Sequence, residues 1–111
     1  MRTYVIDDIM PEHMPLIEER LDSMELGSGM PGLYWLPVPA DMLTEVQVEH
    51  QESCGPHCMA LELGEGCLRL ELLVRARNIL RCGCIAYAGP KLERHMMDYL
   101  DTMLKDLGFT L

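Results

Sequence analysis

The chain alternates between two spacings of apolar residues, and each change of spacing marks a change of element. The opening RTYVIDDI has the β-branched content of a short strand. In PEHMPLIEERLDSMELG, Met14, Ile17, Leu21 and Met24 recur at helical spacing, while Glu12, Glu18, Glu19, Asp22 and Glu25 fill the opposite face. This predicts an amphipathic helix that begins near Pro15 and stops at Gly27. LYWLPVPA follows, and Pro37 and Pro39 lack the N–H that a central strand needs, so the segment reads as an edge strand or an extended connection. EVQVEHQE, HCMALEL, CLRLELLVRAR and CGCIAYA all alternate with period two and predict four strands of an antiparallel meander. GEG and RNILR are the turns between the last three. A second helix closes the chain: Leu92, Met96, Leu100, Met103 and Leu107 form its stripe, Pro90 takes its first position, and Gly108 lies just past its end.

The order is therefore β-α-β-β-β-β-α, and the predicted fold is one α+β domain spanning residues 1–111. A mostly antiparallel sheet of four to five strands carries both helices on one face, the simplest arrangement that buries the two stripes. Strand parity adds detail. Met59, Leu61 and Leu63 share one face, as do Leu68, Leu70, Leu72, Val74 and Ala76. A tight turn through GEGC sets Leu63 opposite Leu68 and Glu62 opposite Arg69, a pair of opposite charges that favours this register. The same parity sends Ile85 and Tyr87 to the core and leaves Cys58, Cys82 and Cys84 on the far side of the sheet.

A chain of 111 residues buries roughly two thirds of its unfolded surface and needs no disulfide or metal to fold. Its net charge of -9 repels polyanions, which argues against nucleic acid. Arg69, Arg75, Arg77 and Arg81 cluster in sequence, and a solvated strand face with acidic cross-strand partners accounts for them. No apolar run approaches the ~18 residues of a membrane helix. Five cysteines, an odd number, without a secretory leader point to a reducing, cytoplasmic setting. Ten methionines suggest a compliant core or a surface buried on association. The expected partner is a protein, or a second copy docking through the far sheet face or the PVP edge. Tyr34 and Trp35 are the candidate platform for it.

The candidate chemistry lies in ESCGPHC and RCGC. His50, Cys54, His57 and Cys58 form a local thiol and imidazole cluster of the softness zinc prefers. Cys82 and Cys84 form a second thiol pair. In a simple meander that pair sits two strands from Cys58, about 10 Å away, beyond the ~2.3 Å reach of one zinc ion to sulfur. The local cluster is therefore the expected metal site. CGPHC also resembles the thioredoxin active-site CGPC with one residue inserted. A strand-like MALELGEG follows it where that family has a helix, so the resemblance carries over neither fold nor activity.

No nucleophile elbow, phosphate loop, HExxH or dinucleotide fingerprint is present. The leading expectation is a binding or accessory protein without catalytic chemistry, holding zinc at the Cys/His cluster. The alternative is a thiol-disulfide protein that uses Cys54 and Cys58. A weaker one is a homodimeric interaction module with inert cysteines. An enzyme pairing His57 as base with Cys58 as nucleophile is disfavoured, because adjacent residues of a strand point to opposite faces.

Overall fold

The computed structural model describes residues 2–109. Its elements are strand β1 (Thr3–Ile6), helix α1 (Met14–Ser23), strand β2 (Leu33–Pro37), a 3₁₀ turn (Ala40–Met42) and helix α2 (Glu45–Glu49). Strands β3 (His57–Gly64), β4 (Cys67–Glu71), β5 (Leu73–Ala76) and β6 (Ala86–Tyr87) follow, and helix α3 (Pro90–Asp106) closes the chain. The class is α+β with a mostly antiparallel sheet, and three helices stand where the sequence predicts two.

Strand β3 organises the sheet. It pairs antiparallel with β2 along one edge and with β4 and then β5 along the other. The GEGC turn sets Leu63 opposite Leu68 and Glu62 opposite Arg69, and Arg69 Nη1 donates to Glu62 Oε1 at 2.7 Å. The long strand expected over CLRLELLVRAR is broken at Leu72. Residues 71–74 oppose only Met59 and Ala60, so the register shifts by two, an even number that leaves every side chain on its own face. On the outer edge Leu72 marks a handover: its N–H donates to Arg2 O and its carbonyl accepts from Ala88 N. β1 therefore pairs with β4, and β6 with β5.

The helices α1 and α3 cover one face. Ile17 and Leu21 of α1 and Leu92, Met96, Leu100 and Leu104 of α3 join Leu36, Met59, Leu61, Leu68, Leu70 and Val74 in a single core. Each helix ends in a Schellman motif. In α3 this uses the expected glycine: Gly108 is left-handed (φ 89) and Phe109 N donates to Leu104 O. In α1 the left-handed residue is Glu25 (φ 57) and Leu26 N reaches back to Leu21 O, so the helix stops before Gly27. Gly27 instead bridges to Tyr34 and, with Leu26, covers part of the β2 edge.

EVQVE, the first part of the predicted strand EVQVEHQE, forms α2, and the rest continues in turns. Thr44 and Gln47 make a full capping box: Thr44 Oγ1 accepts from Gln47 N at 3.2 Å, and Gln47 Oε1 accepts from Thr44 N at 2.9 Å. The alternating valines that suggested a strand, Val46 and Val48, are exposed, and the buried residue is Gln47. Thr44→Ala is expected to cost about 1 kcal/mol in urea unfolding. A Thr44→Ser variant, which keeps an acceptor, should recover most of it.

Among the described residues no helix covers the sheet's second face. Trp35 and Ala60 pair there, and the Arg77 guanidinium lies 5.7 Å from the Trp35 ring centre. Arg75 makes a two-pronged ion pair with Glu71 at 2.6 and 3.1 Å. Tyr34 points the other way, into the core, where its hydroxyl donates to Asp22 Oδ1 at 2.9 Å. Burial, then that hydrogen bond, pushes the Tyr34 pKa up to about 12. Tyr34 and Trp35 thus lie on opposite sides of the sheet and form no joint platform, as neighbours on a strand must.

Candidate metal centre

Four side chains converge where α2 ends. His50 caps α2, and the chain continues in turns so that Cys54 N donates to His50 O at 2.8 Å. This places the imidazole and the Cys54 thiol one helical turn apart on the same side. Gly55 then packs against the preceding turn so closely that a Cβ would lie 2.5 Å from Gln51 O, and only glycine fits. From β5 the chain runs through a loop, residues 77–85, back over this turn. Asn78 fastens its start, its backbone donating to Cys54 O at 2.9 Å and its side chain to Gly55 O at 2.7 Å. The buried Gln47 fastens its end by donating to Cys84 O at 3.0 Å.

The loop thereby brings Cys82 and Cys84 onto His50 and Cys54. All four ligand atoms lie within 4.8 Å of one another, a group that can hold a metal ion. Cys54 Sγ stands 3.8 Å from Cys82 Sγ and 3.7 Å from His50 Nδ1, and His50 Nδ1 is 3.1 Å from Cys82 Sγ. A tetrahedral zinc with Zn–S of about 2.3 Å and Zn–N of about 2.0 Å has S···S edges of about 3.8 Å and S···N edges of about 3.5 Å. These three separations lie within about 0.4 Å of those edges.

Electrostatics inside the group are uneven. Hydrogen bonds from the Cys84 backbone and then its side chain lower the Cys82 thiol to about 7, and His50 and Cys54 add to this. Burial raises Cys84 to about 12, helped by Cys82 and Cys54. A thiolate at Cys82 thus opposes a second one at Cys84, as like charges at close range do. A divalent ion reverses this by favouring every thiolate at once, with protons released as it binds.

The remaining candidates stand elsewhere. His57 is the first residue of β3 and shares the parity of Met59 and Leu61, so it turns into the interior. Neither of its ring nitrogens has a partner among the described residues, and burial, then the nearby His50, holds its pKa below the usual value. Cys58 faces the other side of the sheet, opposite Arg75 and Pro37, and burial pushes its thiol up despite the opposing Arg77. Neither joins the cluster. Cys67 lies in the β3–β4 hairpin, where a Cβ on Gly64 would come within 2.7 Å of its sulfur.

The expected distance between the two thiol groups also changes. β5 pairs directly with β3 at His57 and Cys58, so the loop that leaves β5 begins beside Cys54 and not two strands away. The predicted strand CGCIAYA shrinks to Ala86–Tyr87, with Cys82 and Cys84 in the loop. Its expected faces are not kept either: Cys84 and Ala88 are buried, whereas Ala86 and Tyr87, the latter 46% exposed, both face solvent. A sequence signal for the true grouping does exist. Thr44-x-x-Gln47 is a capping box, and once α2 is read as a helix, His50 and Cys54 fall on one helical side.

Compared with protein-family models, curated proteins and solved structures, the chain finds no match in any of the three. Among the described residues no helix is long and apolar enough to cross a membrane.

Proposed function

We propose that this protein is a small zinc-binding accessory module without catalytic chemistry, its zinc held by His50, Cys54, Cys82 and Cys84. The observation that carries the reading is the convergence of three thiols and one imidazole nitrogen to within 4.8 Å of one another, contributed by two segments that no regular strand pairing joins. Thiolate and imidazole donors in a closed four-ligand set favour zinc, and with no ligand position left for water the ion's role is structural. Bound there, it would clamp the 77–85 loop onto the end of α2. Such thiolate ligands persist in a reducing compartment, which supports the cytoplasmic assignment.

The partner surface in this reading is the open sheet face, where Trp35 lies under Arg77 and is ringed by the Glu62–Arg69 and Glu71–Arg75 pairs. The aromatic and arginine content suits a protein partner or a second copy, and the net charge of -9 disfavours nucleic acid.

The deciding experiment is zinc stoichiometry of protein purified without chelator. The wild type is expected to carry about one zinc per chain. Cys54→Ser and Cys84→Ser should each lose it, with a loss of affinity above the roughly 10- to 100-fold that removal of an outer partner costs. His57→Ala and Cys58→Ser should retain it. A metal-free wild type, or equal losses in the Cys58→Ser and Cys84→Ser variants, would sink the assignment.

A further inference from the structure

We propose that Cys82 is an oxidation site for peroxides and that its product is a Cys54–Cys82 disulfide, which dismantles the metal centre. This rests on the zinc reading for its consequence, but the thiol chemistry rests on the geometry alone. The three cluster thiols differ sharply in access. Cys84 is 1% and Cys54 5% exposed, whereas Cys82 is partly open to solvent on the loop. A small oxidant reaches Cys82 first.

The sulfur best placed to resolve the product is Cys54, 3.8 Å away. A disulfide needs about 2.05 Å, so one sulfur must move by less than about 2 Å. The loop allows it: a Cβ built on Gly83 would touch nothing within 4 Å, and the neighbouring Leu80 is 90% exposed. Cys84 is the poorer resolving partner for Cys82. The two are separated by one residue, and a bridge between them closes a small strained ring, whereas Cys54 lies 28 residues from Cys82 and comes from a different segment.

The chemistry balances in two steps. The Cys82 thiolate attacks one oxygen of the peroxide; the O–O bond breaks, hydroxide or alkoxide leaves, and sulfur becomes a sulfenic acid. The Cys54 thiolate then attacks that sulfur, the S–O bond breaks and hydroxide leaves. Two thiolates lose two electrons and the peroxide gains them, while zinc stays divalent. Only His50 and Cys84 then remain as ligands, too few to hold the ion in its four-ligand site. A dithiol reductant reverses the step and restores the site.

The test treats zinc-loaded protein with equimolar hydrogen peroxide, follows released zinc with a chromogenic chelator, and maps disulfides by peptide mass spectrometry. Expected are release of all bound zinc, a Cys54–Cys82 peptide pair, and recovery of zinc binding after dithiothreitol. The Cys58→Ala variant, which keeps every ligand, should behave identically. Retained zinc, a bridge at Cys54–Cys58 or Cys82–Cys84, or over-oxidised Cys82 without a bridge overturns the proposal. A chain purified without zinc that still forms the Cys54–Cys82 bridge overturns the metal reading and leaves peroxide oxidation of Cys82 standing.

Discussion

Stripping zinc from the protein with a strong chelator is expected to lower its thermal midpoint by about 15 °C. An ion at a thousandfold excess over its dissociation constant stabilises the state that binds it by about 4 kcal/mol. For a chain of this length, each kcal/mol moves the midpoint by about 4 °C. Apart from the ion, the 77–85 loop rests on the hydrogen bonds of Asn78 and Gln47 and on little apolar packing. Cys54, Ala76 and Cys84 form a separate small cluster, with Cys82 and Ile85 at its margin. The chain should nevertheless stay folded without the ion, since the main core draws on none of these residues. Calorimetry with and without chelator measures the shift. A Cys84→Ser chain should show the lowered midpoint already and respond no further; an unchanged wild-type midpoint would remove zinc from the stability of this protein.

Leu61→Ala should destabilise the protein by roughly 3–5 kcal/mol, the upper part of the range for leucine truncation in a core. Leu61 is fully buried in β3, paired with Tyr34 of β2 on one side and Leu70 of β4 on the other. The neighbours that would have to collapse into the void are therefore held by two ladders and by both long helices. Against a typical total of about 5–15 kcal/mol, this leaves a marginal fold. The molecules that remain folded should still carry zinc, because the site lies outside this core. Leu80→Ala, at the most exposed large apolar residue of the loop, should move stability by less than about 0.5 kcal/mol. Urea unfolding of the two variants compares them directly. Similar losses would mean that the 77–85 loop is packed in solution.

The long stripes and the hairpin were legible in the sequence because each repeats one signal many times. Leu92, Met96, Leu100 and Met103 agree on a helix face, and the GEGC turn allows only one register that pairs Glu62 with Arg69. The Cys/His cluster was half legible. His50 and Cys54 stand together, as expected of a strand end and its turn, but with Cys82 and Cys84 in place of His57 and Cys58. The error began at Val46 and Val48, whose alternation outweighed a capping box two residues long in its contacts. Five residues of helix can look like a strand when the intervening side chain, Gln47, is the buried one. The approach of Cys82 and Cys84 was not legible at all. It depends on the break at Leu72, where the sheet's partners change, and no local composition announces that β5 will pair with the first residues of β3.

The pairing of β1 with β4 bears on how the chain assembles during synthesis. Thr3–Ile6 is made well before Cys67–Glu71, its one ladder partner among the described residues. At roughly 5–20 residues per second, the ribosome leaves this strand waiting for several seconds. α1 can meanwhile form and β3 can fold back on β4, both being contacts between near neighbours in sequence, before the first strand has an edge to join. This strand is thus among the last elements to find its place, and a nascent chain halted before residue 67 exposes Tyr4, Val5 and Ile6 as a free strand to whatever holds it in the cell.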